Sequence, residues 1–283
     1  MNPFSVTEIV RLALVEDLGP GDITSRLTIP YNRQGRAHLA ARGDLVLSGL
    51  TAALETLRQV DPSVVFTPAA ADGDRLTNGA EIACLAGPAI SILSAERVAL
   101  NFLMRLSGVA TLTAQYVAAA NNPQVAVVDT RKTTPGLRLL EKAAVRHGGG
   151  RNHRLALYDG VLIKDNHIAA AGSIAQAVAR ALKRAPHMLK IEVEVDTLEQ
   201  LREALAAKVD MVMLDNMGPE LLRQGVKITR EHPDPAVRAT ILEASGGVNL
   251  TTIGVIAQTG VDIISVGALT HSAPSVDLGL DWE

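Results

Sequence analysis

The sequence predicts an α/β protein in which a parallel α/β barrel follows a smaller α+β layer. Two observations carry that reading. From about Gln124 onward, short apolar runs alternate with helical stretches, the mark of βαβ units and a parallel sheet buried on both faces. Nearly every one of those runs ends in a charged residue or a Gly/Ser turn at its C-terminal end, the end at which barrels gather reactive groups. A doubly wound sheet would share the alternation. No Gly-x-Gly-x-x-Gly follows the first strand, however, and no Walker-type loop occurs, so the nucleotide-binding versions of that fold lack their residues.

The elements follow in order. Val6, Ile9, Val10, Leu12 and Leu14 recur at helical spacing, and Gly19-Pro20-Gly21 closes the helix. Ala37–Ala41 and Leu45–Ser48 read as strands of a small sheet, with a helix over Ala52–Val60 packed on it. A helix is expected from Ser94, whose hydroxyl can cap it. That helix carries Val98, Phe102 and Leu106 on one face and Arg97, Asn101 and Arg105 on another. Six strands are then read at Val125–Val128, Gly160–Ile163, Lys190–Val195, Met211–Leu214, Ala239–Leu242 and Asp262–Val266, with helices such as Ile174–Arg184 and Leu198–Ala207 between them.

Composition removes several function classes. The 283 residues are 47% hydrophobic, enough for a sizeable core, and the formal net charge of -3 supplies no field for nucleic acid or a membrane surface. Aromatic residues at 2% are too few for base-stacking platforms. A single cysteine, Cys84, suits a reducing compartment, and no apolar run is long enough to span a bilayer, so a cytoplasmic protein without membrane or nucleic-acid partners is expected.

Asp129-Thr130-Arg131-Lys132-Thr133-Thr134-Pro135-Gly136 puts two cations and three hydroxyls at a strand end, a set suited to a multiply acidic anion. Arg146–Arg154 forms a second basic, glycine-rich cluster. Lys164 follows an apolar strand directly. It reads either as a cation for an acidic substrate or as a Schiff-base lysine of the aldolase kind. Glu192, Glu194 and Asp196 alternate with Ile191, Val193 and Val195, so all three carboxylates are expected on one side of a strand. With Asp215 ending the next strand, Glu194 and Asp215 form either a Mg²⁺ site or ion pairs with interior cations. Ser245-Gly246-Gly247 and Gly267–Thr270 end the last two strands, where barrels bind phosphate on backbone amides.

The ordered set Glu16–Gly19 with Gly21–Thr24, Glu96–Asn101, Thr130–Gly136, Asn152–Arg154, Lys164–His167 and Glu243–Gly247 resembles the quinolinate phosphoribosyltransferase family over nearly the whole chain. The resemblance implies an incomplete, open α/β barrel over 111–271 and an N-terminal α/β sandwich over 1–110, joined by the tail 272–283. It also implies a homodimer. By the same resemblance Thr130, Arg131, Lys132, His153, Arg154 and Lys164 line the substrate pocket, and Arg97 reaches the partner's site. Glu194 and Asp215 meet the ribose hydroxyls and Mg²⁺, Ser245, Gly246, Gly247 and Gly267 take the 5-phosphate, and His271 is a further substrate-binding residue. Lys132, Lys164, Glu194 and Asp215 are the expected catalytic set. The implied reaction joins quinolinate to phosphoribosyl pyrophosphate and releases pyrophosphate and carbon dioxide. Rival readings are a relative acting on another pyridine, a Schiff-base aldolase and a sugar-phosphate-binding barrel without turnover.

Overall fold

The computed structural model describes residues 3–283, so residues 1 and 2 of the span 1–110 lie outside the described residues. The chain forms two compact units. One contains the chain up to Ala114 with Thr133–Gly149 and Leu269–Glu283; the other contains Gln115–Lys132 and Gly150–Ala268. The segment 133–149 thus groups with the first unit although it lies inside the span 111–271.

In the first unit, helix α1 (Pro3–Leu18) ends where Gly19 enters left-handed backbone and the Gly21 N–H returns to the Leu18 carbonyl at 2.7 Å. Asp22 caps α2 (Ile23–Thr28) by accepting the Ser25 N–H at 2.9 Å. Strands β1 (Gln34–Ala41) and β2 (Leu45–Val46), helix α3 (Leu50–Val60), and strands β3 (Val65–Pro68), β4 (Arg75–Leu76) and β5 (Glu81–Pro88) follow. An antiparallel sheet runs β3, β5, β1 and then the C-terminal strand Leu278–Trp282. Leu39, Leu47, Ile82, Ile92 and Leu103 are buried beneath it, with Ala53 and Leu57 of α3. Helix α4 (Ala89–Ala120) begins five residues before the expected Ser94. Ala89, Ile92 and Ala95 are all buried, so the apolar spacing already holds upstream of Ser94. Ser94 is therefore not a cap, and its hydroxyl donates to Asp22 at 3.3 Å. Helix α5 (Arg138–His147) also belongs to this unit.

The second unit is the barrel. Strands β6 (Ala126–Val128), β7 (Val161–Ile163), β8 (Ile191–Val195), β9 (Met211–Asp215), β10 (Ile241–Ser245) and β11 (Ile263–Ser265) form, among the described residues, a six-stranded parallel sheet ordered β6-β11-β10-β9-β8-β7. That order is a ring broken between β6 and β7, where Val128 makes a single parallel bridge to Arg151. One cavity draws residues from the ends of all six strands, so the sheet curls into an open barrel. The intervening helices are α6 (Asp165–Ala171), α7 (Ile174–Arg184), α8 (Leu198–Ala206), α9 (Pro219–Arg230), α10 (Pro235–Arg238) and α11 (Ile253–Ala257). Val193, Val195, Val212, Leu214, Leu242 and Ile264 are sealed from water, whereas the alternate residues Glu194, Met213, Asp215, Glu243, Ser245 and Ser265 line the cavity. The two-residue period of a strand thus separates a hydrocarbon exterior from a chemical interior. After α12 (Ala268–His271) the chain ends in β12, the C-terminal strand already placed beside β1.

Two readings at strand ends are corrected by the structure. Strand β10 continues through Glu243 to Ser245 instead of stopping at Leu242, because Glu243, Ala244 and Ser245 stay in register with Met213, Leu214 and Asp215 of β9. Strand β8 stops at Val195, so Asp196 does not share a face with Glu192 and Glu194. It is exposed, and its N–H donates to the Gln200 side chain at the start of α8 at 2.7 Å.

Candidate active site

The barrel cavity, about 360 Å³, is lined by Thr130, Arg131 and Lys132 after β6 and by His153 and Arg154 from the segment before β7. Lys164, Glu194, Asp215 and Ser245 at the ends of β7 to β10 complete it, together with Met213, Glu243 and Ser265 from β9 to β11. Its chemistry starts with an anchor. Asp129, the first residue beyond β6, is fully buried and accepts the Asn152 amide at 2.6 Å and the His153 backbone N–H at 2.9 Å. A buried carboxylate must be satisfied in this way, and here it pins the His153–Arg154 segment across the break in the barrel. Arg154 donates to the Gly160 carbonyl at 3.1 Å. Burial first, then the neighbouring Arg131, draws the Arg154 pKa below its usual range, while Glu192 and Asp159 oppose the shift. Two guanidiniums held in one half-buried wall form an arrangement chemically suited to an anion with more than one acidic group.

The Lys164 ammonium donates to a Glu194 carboxylate oxygen, and the Asp215 carboxylate accepts the Asn216 side-chain amide at 2.6 Å. Beyond β10, Gly246 and Gly247 take φ of 87° and 63°. A Cβ at Gly246 would overlap the Asn216 side chain, so the Ser-Gly-Gly turn is glycine by close approach as well as by backbone.

At the cavity floor, His153 Nε2 lies 3.2 Å from Glu192 and 3.5 Å from Glu243. The three donor atoms fall within 4.8 Å of one another, a metal-like grouping. The tautomer argues otherwise. His153 Nδ1 accepts the Arg154 N–H at 2.8 Å, so the ring proton sits on Nε2 and points at the carboxylates. His153 is hydrogen-bonded to Glu192, with Glu243 beside the pair. Glu243 is fully buried, and neither carboxyl oxygen makes a hydrogen bond among the described residues. Burial first, then the nearby Glu192, pushes its pKa up to about 8.

The structure therefore brings together Thr130, Arg131, Lys132, His153, Arg154, Lys164, Glu194, Asp215 and Ser245, with Gly246 and Gly247 directly following. Gly267 lies two residues beyond Ser265 and does not line the cavity. Arg97 and His271 belong to the other unit; both are exposed, and His271 Nδ1 contacts the Ser272 hydroxyl at 2.7 Å. The basic run 146–154 also divides. Arg146 and His147 end α5 in the first unit, where His147 contacts Ser48 at 2.9 Å. Sequence reasoning missed Glu243 and Ser265 as cavity residues. The available signal was a lone acidic residue inside the apolar run Ile241-Leu242-Glu243-Ala244.

Comparison with known proteins bears on the family and the fold. Residues 22–107 match the quinolinate phosphoribosyl transferase N-terminal domain, and residues 109–281 match the C-terminal domain. The chain is 46% identical over 281 residues to a probable carboxylating nicotinate-nucleotide pyrophosphorylase of Bacillus subtilis, covering 99% of this chain and 94% of that protein. It is 41% identical to the chloroplastic carboxylating nicotinate-nucleotide pyrophosphorylase of Arabidopsis thaliana, covering 98% and 82%. The solved nicotinate-nucleotide pyrophosphorylase of Francisella tularensis superposes with a TM-score of 0.94 at 41% identity, covering 100% of this chain and 98% of that one.

Proposed function

The chain belongs to the quinolinate phosphoribosyltransferase family, and from that premise we propose that it transfers the phosphoribosyl group of phosphoribosyl pyrophosphate to quinolinate. The products are nicotinate mononucleotide, pyrophosphate and carbon dioxide, a step in NAD biosynthesis. The single observation that carries the residue assignment is one cavity with Arg131 and Arg154 on one side and Glu194, Asp215 and Ser245 on another. We assign the two ring carboxylates to Arg131, Arg154 and Lys132, and the sugar phosphate to Ser245 with the amides of Gly246 and Gly247. Departure of pyrophosphate leaves positive character on the anomeric carbon, which the Glu194 and Asp215 carboxylates favour. The pyridine nitrogen then forms its bond to that carbon. Its new positive charge stabilises the electron pair left on the adjacent carbon when the 2-carboxylate departs.

Mg²⁺ is the cation we propose for this site. Glu194 and Asp215 offer only oxygen donors, the set Mg²⁺ prefers, and substrate phosphates commonly complete its shell. Bound there, it would neutralise the leaving pyrophosphate. Supplying quinolinate, phosphoribosyl pyrophosphate and Mg²⁺ is expected to yield nicotinate mononucleotide and pyrophosphate, with loss of turnover in chelator. Equal turnover with nicotinate in place of quinolinate would overturn the substrate assignment. The aldolase reading is disfavoured because Lys164 is ion-paired with Glu194, a bond that imine formation must first break.

We also propose that the enzyme works as a homodimer in the cytoplasm, with exposed Arg97 serving the partner's site. Mixing inactive Arg97→Ala with inactive Lys164→Ala chains is expected to restore about a quarter of wild-type activity, the fraction set by random two-fold pairing. A mixture that stays inactive would place Arg97 outside the partner's site. The compartment rests on the single, unpaired Cys84 and is checked by cell fractionation.

A further inference from the structure

Resting on the reaction proposed above, we propose that Glu243 is the acid that protonates the ring carbon as carbon dioxide leaves, and that a second cavity behind it admits the proton from water. The chemistry demands such a group. When the bond from C2 to its carboxylate breaks, the electron pair remains on C2 beside the positive ring nitrogen, and the product needs a C2–H bond. An arginine cannot release a proton in this pH range, and Lys164 is engaged by Glu194.

Glu243 meets the demand by position. It lines the cavity that holds Arg131 and Arg154, so it shares a wall with the residues assigned to the ring carboxylates. A carboxylate serving only as counter-charge to those guanidiniums would be hydrogen-bonded to them, yet among the described residues neither Glu243 oxygen bonds to Arg131 or Arg154; the carboxyl faces the Ser265 hydroxyl and lies 3.5 Å from His153 Nε2. A carboxylic acid that no guanidinium engages can give its proton to a substrate atom.

The second cavity, about 320 Å³, lies at the opposite ends of the strands, bounded by Val161, Lys190, Met211 and Ile263 at or beside the first residues of β7, β8, β9 and β11. It shares His153, Arg154 and Glu243 with the substrate cavity. Glu243 therefore faces both spaces. In the proposed step, the Glu243 O–H bond breaks and the C2–H bond forms as carbon dioxide departs. The resulting Glu243 carboxylate takes a proton from water in the rear cavity, releasing hydroxide that neutralises a solvent proton. His153, its Nε2–H held toward both carboxylates, stabilises the transient anion.

The local charges agree. Facing Glu243 are Glu192 from β8, His153 from the segment before β7, Lys164 beyond β7 and the Ser265 hydroxyl from β11, while β9 offers uncharged Met213. Burial and Glu192 outweigh His153 and Lys164, and a pKa of about 8 keeps the acid form dominant at neutral pH.

The test is a single-turnover measurement on the full chain with quinolinate, phosphoribosyl pyrophosphate and Mg²⁺, following pyrophosphate and nicotinate mononucleotide separately. In Glu243→Gln, nicotinate mononucleotide formation is expected to fall about 100-fold, with pyrophosphate release falling at least about tenfold less and the undecarboxylated nucleotide accumulating. Product formation within about threefold of wild type, or equal losses in both products, would overturn the proposal. Should Glu243→Gln fail to fold, the wild type and Glu243→Asp decide. Product formation in wild type falls above about pH 8, and Glu243→Asp moves that limb; a limb that stays in place overturns the assignment. Failure of the functional reading looks different, because wild type itself would then release no pyrophosphate from this substrate pair.

Discussion

Glu243 shows how a single side chain can tie catalysis to stability. Its folded pKa of about 8 lies above the ordinary value of 4.5, so the folded state holds a proton that the unfolded chain releases. Stability is full below about pH 4.5 and declines as pH rises through 8. Glu243→Gln removes the titration, so the melting temperature of the variant minus that of wild type is expected to be more positive at pH 8.5 than at pH 5. A difference independent of pH would show that Glu243 does not titrate in this range. Arg105 presents the opposite case. It donates to Glu141, which is completely buried, at 2.8 Å and to the Ala273 carbonyl at 2.7 Å, and also reaches the Thr270 carbonyl. Arg105→Ala strands a buried carboxylate and is expected to cost about 3–5 kcal/mol, read by denaturant unfolding. The sequence places Arg105 on a polar helix stripe with Arg97 and Asn101, but nothing in that spacing says which of the three is engaged. Partners 36 and 168 residues away decide it. The strand-end cluster Thr130-Arg131-Lys132 and Lys164 were legible because position at a strand end already implies a shared rim. Glu243 was less so, since its meaning depends on what faces it across the barrel.

At the scale of elements, the strongest local signals gave the firmest readings. Helix α7 coincides with the expected Ile174–Arg184, where Ser173 accepts the Gln176 N–H and Ile174 and Val178 are buried. Helix α8 opens with a capping box in which Thr197 accepts the Gln200 N–H at 3.2 Å and the Gln200 side chain receives the Thr197 N–H at 3.3 Å. Thr197→Ala is expected to cost about 1 kcal/mol in unfolding free energy with little change in the substrate KM. Strands β3 and β5 escaped notice for a physical reason. Burial in β3 is slight, and β5 mixes Ala, Gly and Pro with apolar residues, so neither shows a clean two-residue period. Their identity comes from pairing, Phe66 with Leu85 and Ala37 with Leu85, which is long-range information.

For the whole molecule, the six parallel strands were readable because each repeats the same grammar of apolar run, polar end and helix. The ring was not, for β6 pairs with β11, whose sequence lies far away, and not with β7, the next strand in the chain. The grouping of residues 133–149 was equally hidden, since it rests on contacts such as Arg105 with Glu141 and not on any change of composition.

The pairing of β12 with β1 has a further consequence for how the chain is born. Ala37 lies opposite Trp282, so the sheet that β1 begins receives its edge strand only from residues that follow every barrel strand. On a ribosome the N-terminal layer must wait, with β1 unpaired on that side, while every barrel strand is synthesised. A nascent chain stalled before Leu278 presents an open sheet edge, a template for joining other chains. The closing seam of the first layer thus depends on a strand that leaves the ribosome only after the whole barrel.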